Sequence, residues 1–286
     1  MLRASNWPLE WPLAAIVVAG VLYFLGGRVS ATRAGPAKRA RGAAFYLGLL
    51  ALALAVDSPV DAYATTLFWV HMVQHVLLMM VAPPLLLLGR PWPRIVRPFP
   101  LELRRPVARA VLAGDALSGA RSGVRWIASP WPAFAFFNGM LVLWHLPWLY
   151  DLTLKDGPVH DLEHALFFAS ALLFWAHLLP SPRPRLTPLG QVAYGTGAVL
   201  VSWALAVVLG LAPHALYSGY ADLSERPGGL SALADQQLAA GVMWVPGSVP
   251  LTIALLFAAA RWLESGDDPR ARRVLATEDL RPREIG

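Results

Sequence analysis

Seven largely apolar stretches, at about residues 11–27, 43–57, 62–88, 130–150, 159–180, 188–212 and 235–262, take up most of this 286-residue chain. About 20 consecutive apolar residues in a helix cross the hydrocarbon core of a bilayer. Lipid offers the backbone no hydrogen bonds, so such runs must pair their peptide groups internally, as helices do. The expected fold class is all-α: a polytopic membrane helical bundle with seven transmembrane helices. Composition points the same way. Only 15% of residues are charged and 56% are hydrophobic, whereas a soluble domain carries roughly 25% charged residues. This argues against an ordinary soluble enzyme.

The basic residues set the orientation. Of the 24 Lys and Arg residues, 21 fall in the segments after the first, third and fifth stretches and at the C-terminal end. Arg3, Lys155 and Arg226 are the exceptions. Basic loops stay cytoplasmic, which puts the N-terminus outside and the C-terminus in the cytoplasm. The net charge of +6 is thus a topology signal, and no nucleic-acid partner is expected. Val29-Ser30-Ala31 resembles a signal-peptidase site, but the Arg28 between it and the apolar run favours an uncleaved helix. Residues 1–263 read as one transmembrane domain. Residues 264–286 mix acids and arginines and read as a poorly ordered cytoplasmic tail. The basic loop at 89–129 reads either as an amphipathic piece on the inner membrane surface or as a loose connector.

With no cysteine in the chain, any metal must be held by His, Met, carboxylate or backbone oxygen. Ionisable residues inside spans are costly and mark function by default. His71 and His75 lie one helical turn apart in the third stretch, with Met79 continuing that face and Met72 bordering it. His160 and His164 repeat the spacing at the start of the fifth stretch, and His145 lies near the outer end of the fourth. Two such pairs plus a third helix can enclose a metal ion between spans. The alternatives are ordinary: a lone intramembrane histidine also serves as an interhelical hydrogen-bond partner, and methionines also pack. Asp235 either caps its own helix or orients a ligating imidazole. It shares a helix face with Met243. Pro83-Pro84 must kink the third stretch below the histidine face.

Four segments carry a resemblance. HMVQHVLLMMVAPPLLLLGRP at 71–91, WHLPWLYD at 144–151, HDLEHALFF at 160–168 and DQQLAAGVMWVPG at 235–247 occur in order. The chain is similar over about 45–262 to the CtaG family of cytochrome c oxidase assembly factors, polytopic proteins of the bacterial plasma membrane. The resemblance implies a role in forming active haem–copper oxidase, with copper supplied to its catalytic subunit. The partners would be that subunit and the lipid bilayer. It implies metal-handling roles for His71, His75, His145, His160 and His164, with Asp151, Asp235, Gln236, Met72, Met79 and Met243 as accessory residues. His177 and His214 lie outside the motifs. Imidazole and thioether ligands suit copper, and zinc is the alternative. The expected function is therefore non-enzymatic. Two others compete: a seven-span metal-dependent intramembrane hydrolase, and a membrane protein holding haem between two histidines.

Overall fold

The computed structural model describes residues 11–29, 35–114, 117–181 and 184–264. The possible cleavage site at 29–31 and the tail at 264–286 lie almost wholly outside them. All regular structure among the described residues is helical: α1 Trp11–Arg28, α2 Pro36–Val56, α3 Pro59–Ala64, α4 Phe68–Val76, a π-helical turn Leu77–Val81, α5 Ala82–Leu88, α6 Pro91–Ile95, α7 Leu101–Ala113, α8 Ser118–Ile127, α9 Pro130–Trp144, α10 Pro147–Thr153, α11 Gly157–Leu178, α12 Pro188–Leu211, α13 Ser218–Ala221, α14 Ala232–Trp244 and α15 Val249–Glu264.

The continuous rod from α4 through α5 is the centre of the bundle. α14 packs along α4, α2 lies along α5, and α11 runs beside α5 and the π turn. α9 and α12 close the far side. The main core surrounds this rod with Phe68, Met72, Met79, Phe137, Phe167, Phe174 and Trp175. A separate cluster of Ile16, Tyr23, Phe45, Leu49 and Leu86 joins α1 and α2 to α5. The outward faces carry Val18, Val21, Leu47, Leu50, Leu200, Val208, Ile253, Leu256 and Phe257, all exposed. A protein that keeps aromatic and polar groups inside and turns aliphatic faces outward is built for lipid.

Among the described residues, four segments are long and apolar enough to cross a membrane: Pro36–Ala64, Phe68–Leu88, Pro188–Leu211 and Ala232–Glu264. A fifth is reached if α8 and α9, bent by 72° from each other, form one span. α1 is apolar but shorter. α11 has 22 residues, and His160, Asp161, Glu163 and His164 dilute its apolarity.

Several stretches break where continuity was expected. The third begins anew at Phe68 after an irregular turn at 65–67, leaving 21 residues in α4–α5, about 32 Å of helix and close to the bilayer core. The fourth stops at His145, whose backbone leaves the helix before Pro147 starts α10. The seventh is interrupted by a 3₁₀ turn at Pro246–Ser248. Pro83 and Pro84 act through the π turn just before them. Proline has no N–H, so Pro83 leaves the Met79 carbonyl without its helical donor. The Trp175 indole N–H supplies the missing bond at 2.8 Å. The 89–129 segment is largely helical, with the outward-facing side chains of Leu103, Val107, Val111, Val124 and Trp126 exposed.

Candidate metal centre

His71 and His75 sit on α4, one turn apart, both buried. Their helix is held at its start by Asp235 of α14. One carboxylate oxygen accepts from Phe68 N–H at 2.9 Å and the other from Trp69 N–H at 3.0 Å. Leu67 has no capping side chain of its own, so Asp235 satisfies amides that would otherwise be orphaned. Asp235 thus caps a helix, but not its own: Ser231 caps α14. Gln74 fixes the opposite face of α4, donating to Ala55 O and to Asp61 Oδ1, each at 2.7 Å.

α11 brings His160, Glu163 and His164 against this pair. The rings of His71 and His160 are 5.2 Å apart, those of His75 and His164 5.8 Å, and those of His160 and His164 4.0 Å. Ligand atoms of His71, His75, Glu163 and His164 all lie within 4.8 Å of one another. Two donors on one ion with bonds of about 2.1 Å stand at most about 4.2 Å apart, so small side-chain shifts would place all four on one ion.

The polar atoms here are conspicuous for what they lack. His71 Nε2, both ring nitrogens of His75, both oxygens of Glu163 and His164 Nε2 are buried without hydrogen bonds. They are half of the twelve such side-chain atoms among the described residues. His75 Nε2 and Glu163 Oε1 are 3.6 Å apart, too far for a hydrogen bond. Thr153 lies beside Glu163, and its hydroxyl proton goes to Tyr150 O at 2.8 Å. Unpaired buried polar groups cost about 1–3 kcal/mol each, more when charged. A cation satisfies lone pairs and a carboxylate together, so the donor set fits a metal ion.

Hydrogen bonds around the rim fix the imidazoles. His71 Nδ1 lies 2.9 Å from the Tyr220 hydroxyl and 2.8 Å from that of Tyr150. Tyr220 spends its proton on Ala64 O at 2.5 Å. Burial pushes this phenol well above its ordinary pKa, so the proton stays. Tyr220 can therefore only accept, whereas Tyr150 keeps a hydroxyl proton to give, and the two phenols together hold His71 by Nδ1 with Nε2 facing the cluster. Asp151 holds the loop that carries Tyr220, accepting from Ser218 Oγ at 2.6 Å and Gly219 N–H at 2.9 Å.

The expected histidines thus come together, but not as five equal ligands. His160 is only partly buried and stands at the mouth, outside the four-donor set. His145 is turned away: its Nδ1–H donates to Leu141 O at 2.7 Å, aiming Nε2 at Met72 Sδ, 3.5 Å off. Gln236 donates to Leu209 O and accepts from Leu216 N–H, so it fastens the loop after α12 and touches no histidine ring. Met72, Met79 and Met243 line a small cavity below, with His75 and His145. Glu163, Tyr150 and Tyr220 are the additions. Glu163 carried a readable signal, lying three residues after His160 and hence on the same helix face. The tyrosines carried none in local spacing.

The family described as cytochrome c oxidase caa3 assembly factor (Caa3_CtaG) matches residues 21–265. The chain belongs to this family. The breaks at 65–67 and 245–248 and the histidine centre all lie within the matched region. The chain also resembles uncharacterized proteins of Mycobacterium bovis and Mycobacterium tuberculosis, each 27% identical over 274 residues. A third, from Mycobacterium leprae, is 26% identical over 286 residues. Each alignment covers 93% of this chain but only 40–42% of the relative. The chain therefore spans about two fifths of the length of the curated relatives it matches. No solved structure matches it significantly.

Proposed function

We propose that this membrane protein serves cytochrome c oxidase assembly by handling copper destined for the oxidase catalytic subunit, with His71, His75, His164 and Glu163 as its first resting place. Family membership supplies the assembly role. The observation that carries the metal is the group of six unpaired, buried donor atoms within one small volume. His160, at the mouth, is the entry ligand. In this reading α1 and α11 also cross the plasma membrane, giving seven spans with the N-terminus outside, and the centre opens outward. Copper is cargo here, and the chain itself is not an enzyme.

A second reading is favoured by one feature. His160, Glu163 and His164 form an H-x-x-E-H spacing, which also occurs in zinc hydrolases. Three imidazoles with a carboxylate at hand would suit a zinc-activated water.

The deciding experiment replaces His71 and His75 together by Ala in the host at limiting copper. Protein abundance, oxidase activity and rescue by added copper are measured side by side. The assembly reading expects normal abundance, reduced oxidase activity and partial rescue. Normal oxidase activity at normal abundance would defeat it. Zinc content with hydrolysis of lipid amides, both lost on Glu163→Gln, would favour the second reading.

A further inference from the structure

Below the histidine centre lies a cavity of about 30 Å³ whose lining includes Met72, Met79, Met80 and Met243, with His75 and His145. Four of the chain's six methionines are gathered there, from α4, the π turn and α14. The space matches a single water molecule, and Ser202, His75 and His145 add polar groups to the four thioethers of its wall. The contact at its wall is sharper. Met72 Sδ and His145 Nε2 face each other at 3.5 Å, both residues buried. His145 Nδ1–H is committed to Leu141 O, so a neutral ring has no proton on Nε2. Thioether sulfur has none either. Two electron-pair donors point at each other with nothing between them to share.

We infer that Met72 and His145 form a second metal site, selective for a soft monovalent ion such as Cu(I), separate from the His71/His75/Glu163/His164 centre. With bonds of about 2.0 Å to nitrogen and 2.3 Å to sulfur, a donor separation of 3.5 Å corresponds to an angle at the ion of about 110°, the value of a tetrahedral site. Thioether and imidazole select Cu(I) over harder ions. Met79 and Met243 are placed to complete the shell from the cavity side. His75 belongs to the upper donor set and also lines this cavity. It is the residue that can pass an ion from one site to the other, with no change in oxidation state. The inference deepens the copper-handling reading and rests on it only for its biological purpose.

The test uses the full chain, purified in detergent and loaded anaerobically with Cu(I) under a competing chelator, with copper K-edge X-ray absorption as the readout. The wild type is expected to show sulfur in the copper shell. Met72→Leu, which keeps size and apolarity, is expected to lose one sulfur from that shell and to bind Cu(I) at least about tenfold more weakly. Its zinc(II) uptake at the upper centre should be unchanged. Selenomethionine labelling is the second measurement and should place selenium in the shell of the wild type. A wild-type shell of nitrogen and oxygen alone, or Met72→Leu with unaltered sulfur ligation and affinity, would overturn the site. Neither readout depends on oxidase activity, so a failure of the assembly role registers separately.

Discussion

Two histidines of α11 with nearly the same solvent exposure are used oppositely. His164 is 9% exposed and His177 8%. At the His177 end the polar atoms close on one another. His177 Nε2 donates to Ala128 O at 3.0 Å, Gln191 Nε2 donates to His177 O at 2.8 Å, and Arg261 donates to Gln191 Oε1 at 3.2 Å. These bonds tie α11 to the α8–α9 turn, α12 and α15. At the other end, His164, Glu163, His71 and His75 converge with six buried atoms unpaired. A histidine deep in a membrane protein is therefore not in itself a ligand. What separates glue from site is whether its nitrogens are already spent.

The comparison breaks first at the two histidines themselves. His164→Ala removes a donor that bonds nothing in the apo protein. Its metal affinity should fall about tenfold or more, with thermal stability unchanged. His177→Ala should leave metal binding intact and lower stability by about 0.5–1.5 kcal/mol, because it removes the bond to Ala128 O, which Arg185 also reaches. Isothermal titration with zinc(II) and thermal unfolding of both variants check this. Matching profiles for the two would erase the distinction.

Asp235 sharpens it next. Its carboxylate accepts two backbone amides at the start of the helix that carries His71 and His75. Hydrogen bonds to charged groups contribute about 1.5–3 kcal/mol. Asp235→Ala should therefore lower Tm and speed amide exchange at residues 68–72, while Asp235→Asn recovers part of the loss. Trp175→Phe comes after, costing about 1–2 kcal/mol for the unsatisfied Met79 carbonyl in the π turn. Its metal uptake should persist. The smallest effect belongs to Asp151→Asn. That residue lies at the rim and anchors the Tyr220 loop, so a loss of about 0.5–1 kcal/mol is expected. A Tm change at Asp151 larger than at Asp235 would invert the account of what positions α4.

Much of the fold was legible because lipid makes a plain demand: long apolar runs must be helices. The breaks were harder. The turn at 65–67 is Thr-Thr-Leu, with no Gly or Pro to announce it, and it forms because a distant carboxylate caps the helix that follows. Apolarity picks out four or five spans among the described residues, and α11 is not one of them because it carries His160, Asp161, Glu163 and His164. In the site, the i, i+4 pairs His71/His75 and His160/His164 were visible in periodicity, and helix packing brings them together. Glu163 was passed over between two histidines although it shares their face. Tyr150, Tyr220 and the true partner of Asp235 lie 79 to 167 residues away in sequence from the groups they touch, and no local pattern encodes such contacts. The turn of His145 toward Met72 depends on a single backbone hydrogen bond within its own helix.

The most direct test of the central claim is the zinc content of the detergent-purified protein. The protein would be equilibrated with zinc(II), washed with a weak chelator and read by elemental analysis against protein concentration. Zinc(II) prefers imidazole and carboxylate to thioether, so it reports on the upper centre alone. The account predicts one equivalent in the wild type and none in His71→Ala/His75→Ala, with both proteins equally folded. Wild-type protein that retains no zinc, or a double variant that retains as much as the wild type, would contradict it.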